Sequence, residues 1–194
     1  MTSAARRLLI IGAPGAGKGT QAERIAAALS IPAISTGDIF RANVSQQTEL
    51  GVLAKSYMDK GEYVPDEVTN DMVADRLRQE DASTGFLLDG YPRTAAQVEA
   101  LDRMLEAAGQ QLDAVIMLDV DTDAVVARLV QRGQEQGRSD DNEETIRRRI
   151  DVYAEQTAPL VSIYSERGLV RHIDGMQEID QVTEQILTVL GAKA

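Results

Sequence analysis

Leu8-Leu9-Ile10-Ile11-Gly12-Ala13-Pro14-Gly15-Ala16-Gly17-Lys18-Gly19-Thr20 decides how this chain folds. The apolar run Leu8–Ile11 suits a buried strand, and the glycines after it let the backbone wrap around an anion with several N–H groups pointing inward. A helix opening at the end of the stretch adds a favourable dipole, and Lys18 would reach the β- and γ-phosphates of a nucleotide as a point charge. An ordinary strand-to-helix turn needs one or two glycines, but neither four nor a lysine within it. Gly19, not serine or threonine, follows Lys18, and the hydroxyl comes one residue later at Thr20. In most such loops the hydroxyl after the lysine ligates Mg²⁺, so a metal here would be held chiefly by phosphates and water. That disfavours a GTP-operated switch.

Around this stretch the composition is that of one ordinary globular domain: 194 residues, 43% apolar and 26% charged. Twenty Lys and Arg against 31 Asp and Glu give a formal net charge of −11, the wrong sign for a general binder of nucleic acid or anionic membranes. The absence of cysteine excludes disulfides, thiolate catalysis and thiolate zinc or iron–sulfur sites, and the single histidine, His172, precludes a multi-histidine metal cluster. Aromatic residues, 4% of the chain, give no stacking platform for single strands. Arg6 and Arg7 before Leu8–Ile11 superficially resemble an export signal, but the apolar run ends at Gly12 whereas a signal needs roughly 7–15 residues. With no run approaching the roughly 18 apolar residues of a membrane span, a soluble, cytoplasmic protein is expected.

Short apolar runs alternate with longer segments of helical period, the pattern of a parallel sheet wrapped by crossover helices. The expected strands are Leu8–Ile11, Pro32–Ser35, Phe86–Leu88, Ala114–Leu118 and Leu169–Ile173. Helices are expected over Gln21–Leu29, Ala95–Ala107, Asp121–Gln131 and Gln177–Leu190. From Thr36 to about Val64 the alternation is interrupted, and an inserted helical subdomain is expected. Gln131 to Asp141 has two glycines, no apolar residue and mixed charge, so a mobile surface loop is expected there.

A metal-facing carboxylate should stand at the carboxyl edge of a strand next to the first, where open α/β sheets bind ligands. Phe86-Leu87-Leu88-Asp89 supplies it, followed by Gly90-Tyr91-Pro92-Arg93. Further on, Ile146, Ile150 and Tyr153 form an apolar stripe. At about 100° per residue Arg149 lies some 60° from Ile146, on the stripe's side, while Arg147 and Arg148 turn away. Arg147 and Arg148 read as a solvated basic face.

In sequence order, Gly12–Thr20 with Gln21, Ser35-Thr36-Gly37-Asp38, Asp89–Arg93 with Gln97, and Arg138-Ser139-Asp140-Asp141 resemble the adenylate kinase family over essentially the whole chain. The resemblance implies an α/β, three-layer P-loop fold: a five-stranded parallel sheet with helices on both faces, an inserted helical AMP-binding subdomain and a short lid. The core would be residues 1–35, 65–130 and 142–194, the insertion 36–64 and the lid 131–141. The implied reaction is reversible transfer of the γ-phosphoryl of Mg·ATP to AMP, giving two ADP, by a cytoplasmic monomer with no structural zinc. Many relatives carry a longer lid, sometimes with four zinc-binding cysteines, which this chain lacks.

The resemblance further implies that Gly15, Ala16, Gly17, Lys18, Gly19, Thr20, Arg128, Arg132 and the Gly175 backbone bind ATP. Thr36, Arg41, Met58, Glu62, Tyr63, Val64, Gly90, Tyr91, Pro92, Arg93 and Gln97 would form the AMP side. Arg138 and Arg149, also on the AMP side, would meet the transferring phosphoryl group, completing a catalytic set with Lys18, Arg93 and Arg132, and Asp89 would hold Mg²⁺ through water. Other roles stay open: Met58 as helix packing, Asp38 as a helix cap, Asp140 and Asp141 as a cap or as partners of the lid arginines, and His172 as a structural residue of the last strand. The nearest alternatives are a uridine or cytidine monophosphate kinase, where alanine typically stands at the place of Thr36, and a nucleotide-dependent switch.

Overall fold

The computed structural model of the protein describes residues 6–138 and 140–192. Ser139, and the ends of the expected core at 1–5 and 193–194, lie outside the described residues. Strands β1 (Arg7–Ile11), β2 (Ala33–Ser35), β3 (Phe86–Asp89), β4 (Ala114–Asp119) and β5 (Val170–Asp174) form one parallel sheet in the order β2-β3-β1-β4-β5. Helices α1 (Lys18–Leu29), α2 (Thr36–Ser45), α3 (Glu49–Met58), α4 (Asp66–Leu77), α5 (Ala95–Ala107), α6 (Thr122–Gln136), α7 (Glu143–Val152), α8 (Leu160–Glu166) and α9 (Ile179–Val189) accompany it.

Side-chain alternation along the strands divides the core into two layers. Leu8, Ile10, Leu87 and Ile116 face Ala22, Ile25 and Leu29 of α1 and Val182 and Ile186 of α9. The intervening residues Leu9, Ile11, Leu88 and Val115 face the opposite way, onto Val73 of α4, Val98, Leu101 and Leu105 of α5, and Leu160 and Tyr164 of α8. Strands buried on both faces must be apolar throughout, which is why they read as continuous runs. The three-layer α/β expectation is thereby met.

Between β2 and α4 the chain leaves the sheet as α2 and α3, which close on a small core of Phe40, Ala54 and Val64 with Met58 packed against it. Each helix is capped by a hydroxyl: Ser35 accepts from the Asp38 N–H, and Thr48 accepts from the Gly51 N–H. Asp38 therefore is not the cap; it pairs with Arg41 at 2.5 Å. The two helices touch at Gly51, where a Cβ would fall 2.1 Å from the Asn43 carbonyl oxygen.

Over residues 131–138, 140 and 141 the structure differs from the expected surface loop. Helix α6 runs on to Gln136 and ends at Gly137 with φ +62°, and Asp140 and Asp141 are buried. Gln, Arg and Glu propagate a helix without apolar content, aided here by a 2.7 Å bond from Gln131 to Glu135. Burial is achieved by ion pairing instead of apolar packing.

Gly51→Ala is expected to force α2 and α3 apart and destabilise the protein by about 1–3 kcal/mol, measured as a lowered urea midpoint with an unchanged sheet signature in circular dichroism.

Candidate active site

Gly15 and Gly17 take φ of +81° and +90°, which side chains disfavour, and so turn the chain back on itself before α1. A Cβ on Gly15 would lie 2.8 Å from both Val125 and Leu129, so α6 seats the loop from behind. Helix α1 begins directly after the loop at Lys18, and its N-cap, Gly17, offers no side-chain cap to its first N–H groups. The Lys18 ammonium donates to the carbonyls of Gly12 and Ala13 at 2.8 and 3.0 Å. Burial lowers its pKa to about 8; Asp89 opposes the shift, while Arg93, Arg149 and Arg132 add to it.

Asp89 ends β3 in register with Ile10 of β1, on the strand beside the one that enters the loop. Its carboxylate lies 3.9 Å from where a Gly19 Cβ would stand. Among the described residues no group of three His, Asp or Glu could hold an ion by itself. A single carboxylate at the loop's mouth fits a metal that arrives already bound to phosphates and meets the protein through water.

Beyond Asp89, Gly90 (φ +81°) and the cis Tyr91–Pro92 peptide carry the chain to Arg93. The Gly90 carbonyl accepts from both the Thr36 hydroxyl (2.9 Å) and Arg93 Nε (2.7 Å). The Arg93 N–H donates to Gln97 Oε1 at 2.7 Å, and Gln97 Nε2 donates to Asp66 Oδ1 at 2.7 Å. Thr94 caps α5 and gives its own hydroxyl proton to Asp66 Oδ2 at 3.0 Å. Arg93 also lies over the Tyr63 ring, 4.9 Å from its centre.

One cavity opens between the sheet edge and the α2–α3 insertion. Thr36, Arg41, Met58, Glu62, Tyr63, Val64, Gly90, Tyr91, Pro92, Arg93, Gln97 and Arg149, every expected AMP-side residue except Arg138, line it. Lys18 closes it at the loop, and Met58 both lines it and packs in the insertion's core. Gly15, Ala16, Gly17, Gly19, Thr20 and Asp89 stand at the loop, outside that lining. Arg128 is exposed on α6, and Gly175 lies beyond β5, bonded from its N–H to the Asp119 carbonyl at 2.8 Å; neither borders the cavity.

The second half of the site is an arginine–aspartate cluster. Arg132 holds Asp141 with two parallel bonds of 2.7 and 2.8 Å, and Arg149 reaches the same carboxylate at 2.6 Å and Asp140 at 3.2 Å. The Asp141 side chain is wholly shielded from solvent. Burial pushes its pKa upward, but the Arg132 and Arg149 guanidiniums outweigh that and hold it below the usual carboxylate range. Arg138 comes close enough to Arg41 and Arg132 for burial and their charge to lower its pKa. Both aspartates thus partner the arginines, while Asn142 caps α7 by accepting from the Thr145 N–H. As expected from the helical period, Arg149 faces the site while Arg147 pairs on the surface with Glu143 at 2.8 Å. His172 is not within the core: it is exposed on the edge strand β5 and pairs with Asp119 of β4 at 2.9 Å.

Sequence inspection passed over Thr157 and Asp66. Thr157 lines the cavity and is 5% exposed, and Asp66 orients Gln97 and Thr94. Neither stands in a motif; only the Pro159 that follows Thr157 hints that the helix is interrupted there.

A glycine loop and lysine at the switch point of a parallel sheet, facing a cleft ringed by arginines, mark a phosphate-loop phosphotransferase. Comparison narrows the class. The family model for adenylate kinase matches residues 10–169. The adenylate kinase of Kocuria rhizophila is 63% identical over 184 residues, 95% of this chain and 98% of its own. That of Nocardioides sp. is 62% identical over 95% and 96%, and that of Thermobifida fusca 57% identical over 97% and 100%. The chain belongs to the adenylate kinase family.

Since the fold lowers the Lys18 pKa to about 8, the free protein loses this charge as pH rises through that value, whereas a bound polyphosphate favours the charged form. ATP affinity is therefore expected to decline above about pH 8, with proton uptake on binding. Calorimetry at pH 8.5 in two buffers of different ionisation enthalpy measures the uptake, and Lys18→Met should abolish it.

Proposed function

We infer that this chain transfers the γ-phosphoryl of Mg·ATP reversibly to AMP, giving two ADP, with the donor's phosphates in the Gly12–Thr20 loop and the acceptor in the arginine-lined cavity. The observation that carries the placement is Arg93: its backbone, side chain and ring neighbour are all fixed, and its charge acts on Lys18 from across the site. A rigid cation facing the loop's lysine is what in-line transfer between two anionic substrates needs.

No strong base is required, because the second pKa of a phosphate monoester is about 6 and the acceptor is already largely a dianion at neutral pH. Alignment and charge neutralisation supply the rate. Lys18 and the guanidiniums of Arg93, Arg132, Arg138 and Arg149 are the neutralising groups, the arginines donating paired hydrogen bonds while keeping their charge. Asp89 would hold, through water, the Mg²⁺ that accompanies ATP, which would supply shielding of the phosphate charge. On the donor side, Gly15–Thr20, Arg128, Arg132 and the Gly175 backbone are proposed to bind ATP. Arg128 would have to turn inward from its exposed position.

On the acceptor side, Thr36, Arg41, Met58, Glu62–Val64, Gly90–Arg93 and Gln97 are proposed to hold AMP. Thr36 is buried and already donates to Gly90, so it shapes the wall and retains lone pairs to accept with. Residues 36–64 and 131–141 would close over the two nucleotides and exclude water, which would otherwise hydrolyse ATP. The same family resemblance supports a cytoplasmic monomer. No helix among the described residues is long and apolar enough to cross a membrane.

The direct test is ADP alone: the purified protein should convert it to ATP and AMP, and Lys18→Met should remove most of that activity without unfolding the chain. Arg93→Ala should raise the KM for AMP at least about tenfold, through loss of a charge-assisted contact, while moving the KM for ATP little. An effect on ATP alone would contradict the placement. UMP, CMP and GMP in the same assay should be poor acceptors, and hydrogen exchange in both 36–64 and 131–141 should slow when ATP and AMP are both present.

A further inference from the structure

We propose that Thr157 is a positioning residue for Arg93, and that through Tyr63 it couples the seating of the insertion to the orientation of that arginine. Between α7 and α8 the backbone widens into a π-turn, Tyr153–Thr157, closed by a 2.9 Å bond from the Ala158 N–H to the Tyr153 carbonyl. Such turns interrupt a helix at a cost and are frequent at functional sites. This one brings Thr157 to the cavity wall.

The Thr157 hydroxyl stands between two groups that belong to different parts of the molecule. It donates to the Arg93 carbonyl at 2.8 Å, which leaves its oxygen to accept from the Tyr63 hydroxyl at 2.8 Å. The proton order is thus fixed: Tyr63 to Thr157 to Arg93. Tyr63 comes from the end of the insertion, and its ring lies under the Arg93 guanidinium, 4.9 Å from centre to carbon. One side chain of the insertion therefore touches Arg93 twice, through its ring directly and through its hydroxyl by way of Thr157. On the other side of Arg93, Gln97 and the Gly90 carbonyl fix its N–H and Nε. Without Thr157 the Arg93 carbonyl loses the side-chain hydrogen bond that it accepts. Were the insertion to move out and take Tyr63 with it, both of these contacts to Arg93 would lapse together. Seated, the insertion adds the Tyr63 ring and, by way of Thr157, a second tie to the hold that Gly90 and Gln97 already keep on Arg93.

This inference rests on Arg93 as a ligand of the acceptor phosphate, so the test carries Arg93→Ala as a separate arm. If Arg93→Ala leaves the KM for AMP unchanged, the site placement fails; if it raises that KM, the Thr157 variants are judged alone. Thr157→Val keeps shape and removes the hydroxyl, and loss of one positioned hydrogen bond should lower kcat/KM for AMP roughly 3- to 10-fold with the KM for ATP within about twofold. Thr157→Ser should restore wild-type values within about twofold. Tyr63→Phe keeps the ring and should cost less than Thr157→Val, and adding it to Thr157→Val should cost nothing more.

Wild-type AMP kinetics in Thr157→Val would overturn the proposal. So would equal losses toward ATP and AMP, a serine variant as impaired as the valine one, or losses from Tyr63→Phe and Thr157→Val that multiply in full. Should Thr157→Val not fold, as read by thermal denaturation, the serine and Tyr63→Phe variants decide: a normal serine variant beside a selective AMP defect in Tyr63→Phe supports the coupling, and unaltered Tyr63→Phe kinetics refute it.

Discussion

Parallel pairing of β1 with β3 is the constraint on which the remaining geometry depends. These strands are not consecutive in the chain; between them the polypeptide makes α1, β2, the insertion and α4. Their adjacency brings the glycine loop after Ile11 beside Asp89 and the turn that leads to Arg93, and β4, on the other flank of β1, sends α6 back over the loop. Three separate stretches of sequence thus meet at one carboxyl edge, each with a backbone turn there and each carrying a charge. A one-residue slip would exchange side chains between the two differently packed core layers, so the register that sets Ile10 opposite Asp89 is held by close packing on both faces.

Gathering cations at that edge is costly, and the molecule meets the cost locally. Lys18 has Arg93, Arg132 and Arg149 within electrostatic range, and all three disfavour its charge. Asp89 counters at the lysine, and Asp140 and Asp141 counter at the arginines. A buried pair of this kind contributes little net stability against an apolar substitute, but removing one partner strands a charge in low dielectric. The aspartates are therefore best understood as what allows guanidiniums to be placed at the site at all. Phosphate oxygens offer those guanidiniums the same paired acceptor geometry that Asp141 offers Arg132.

Legibility in the sequence followed the range of the interactions. The five strands and helices α1, α5, α6 and α9 were readable because apolar periodicity is a local property, and Ala95–Ala107 agrees to the residue, whereas α4 and α8, which also cover the core, were not among the expected helices. The glycine loop and Asp89 were readable because a turn and a strand end are local too. What could not be read is held by contacts between distant segments. Asp141 had no apolar neighbour to predict its burial, which comes from Arg132 and Arg149. Asp66 and Thr157 lie 31 and 64 residues from the side chains or carbonyls they bond. Helix caps fell between these cases: Ser35 and Asn142 were as well suited as Asp38 and the aspartates, and only the demand of the arginines for carboxylates settled which residue did which.

A net charge of −11 and a site made of cations are compatible because the charge is unevenly placed. Lys18, Arg41, Arg93, Arg132, Arg138 and Arg149 gather at one edge of the sheet, so the surface elsewhere is more acidic than the chain's average. An acidic exterior repels polyanions over a distance of about a Debye length, roughly 8–10 Å in physiological salt. A small anion that enters the cleft escapes that repulsion and meets guanidiniums in a low-dielectric setting, where each interaction is stronger than in water. Placement of charge thus lets an acidic chain present a cationic cleft to small anions, with the same number of cations that a uniformly mixed surface would carry.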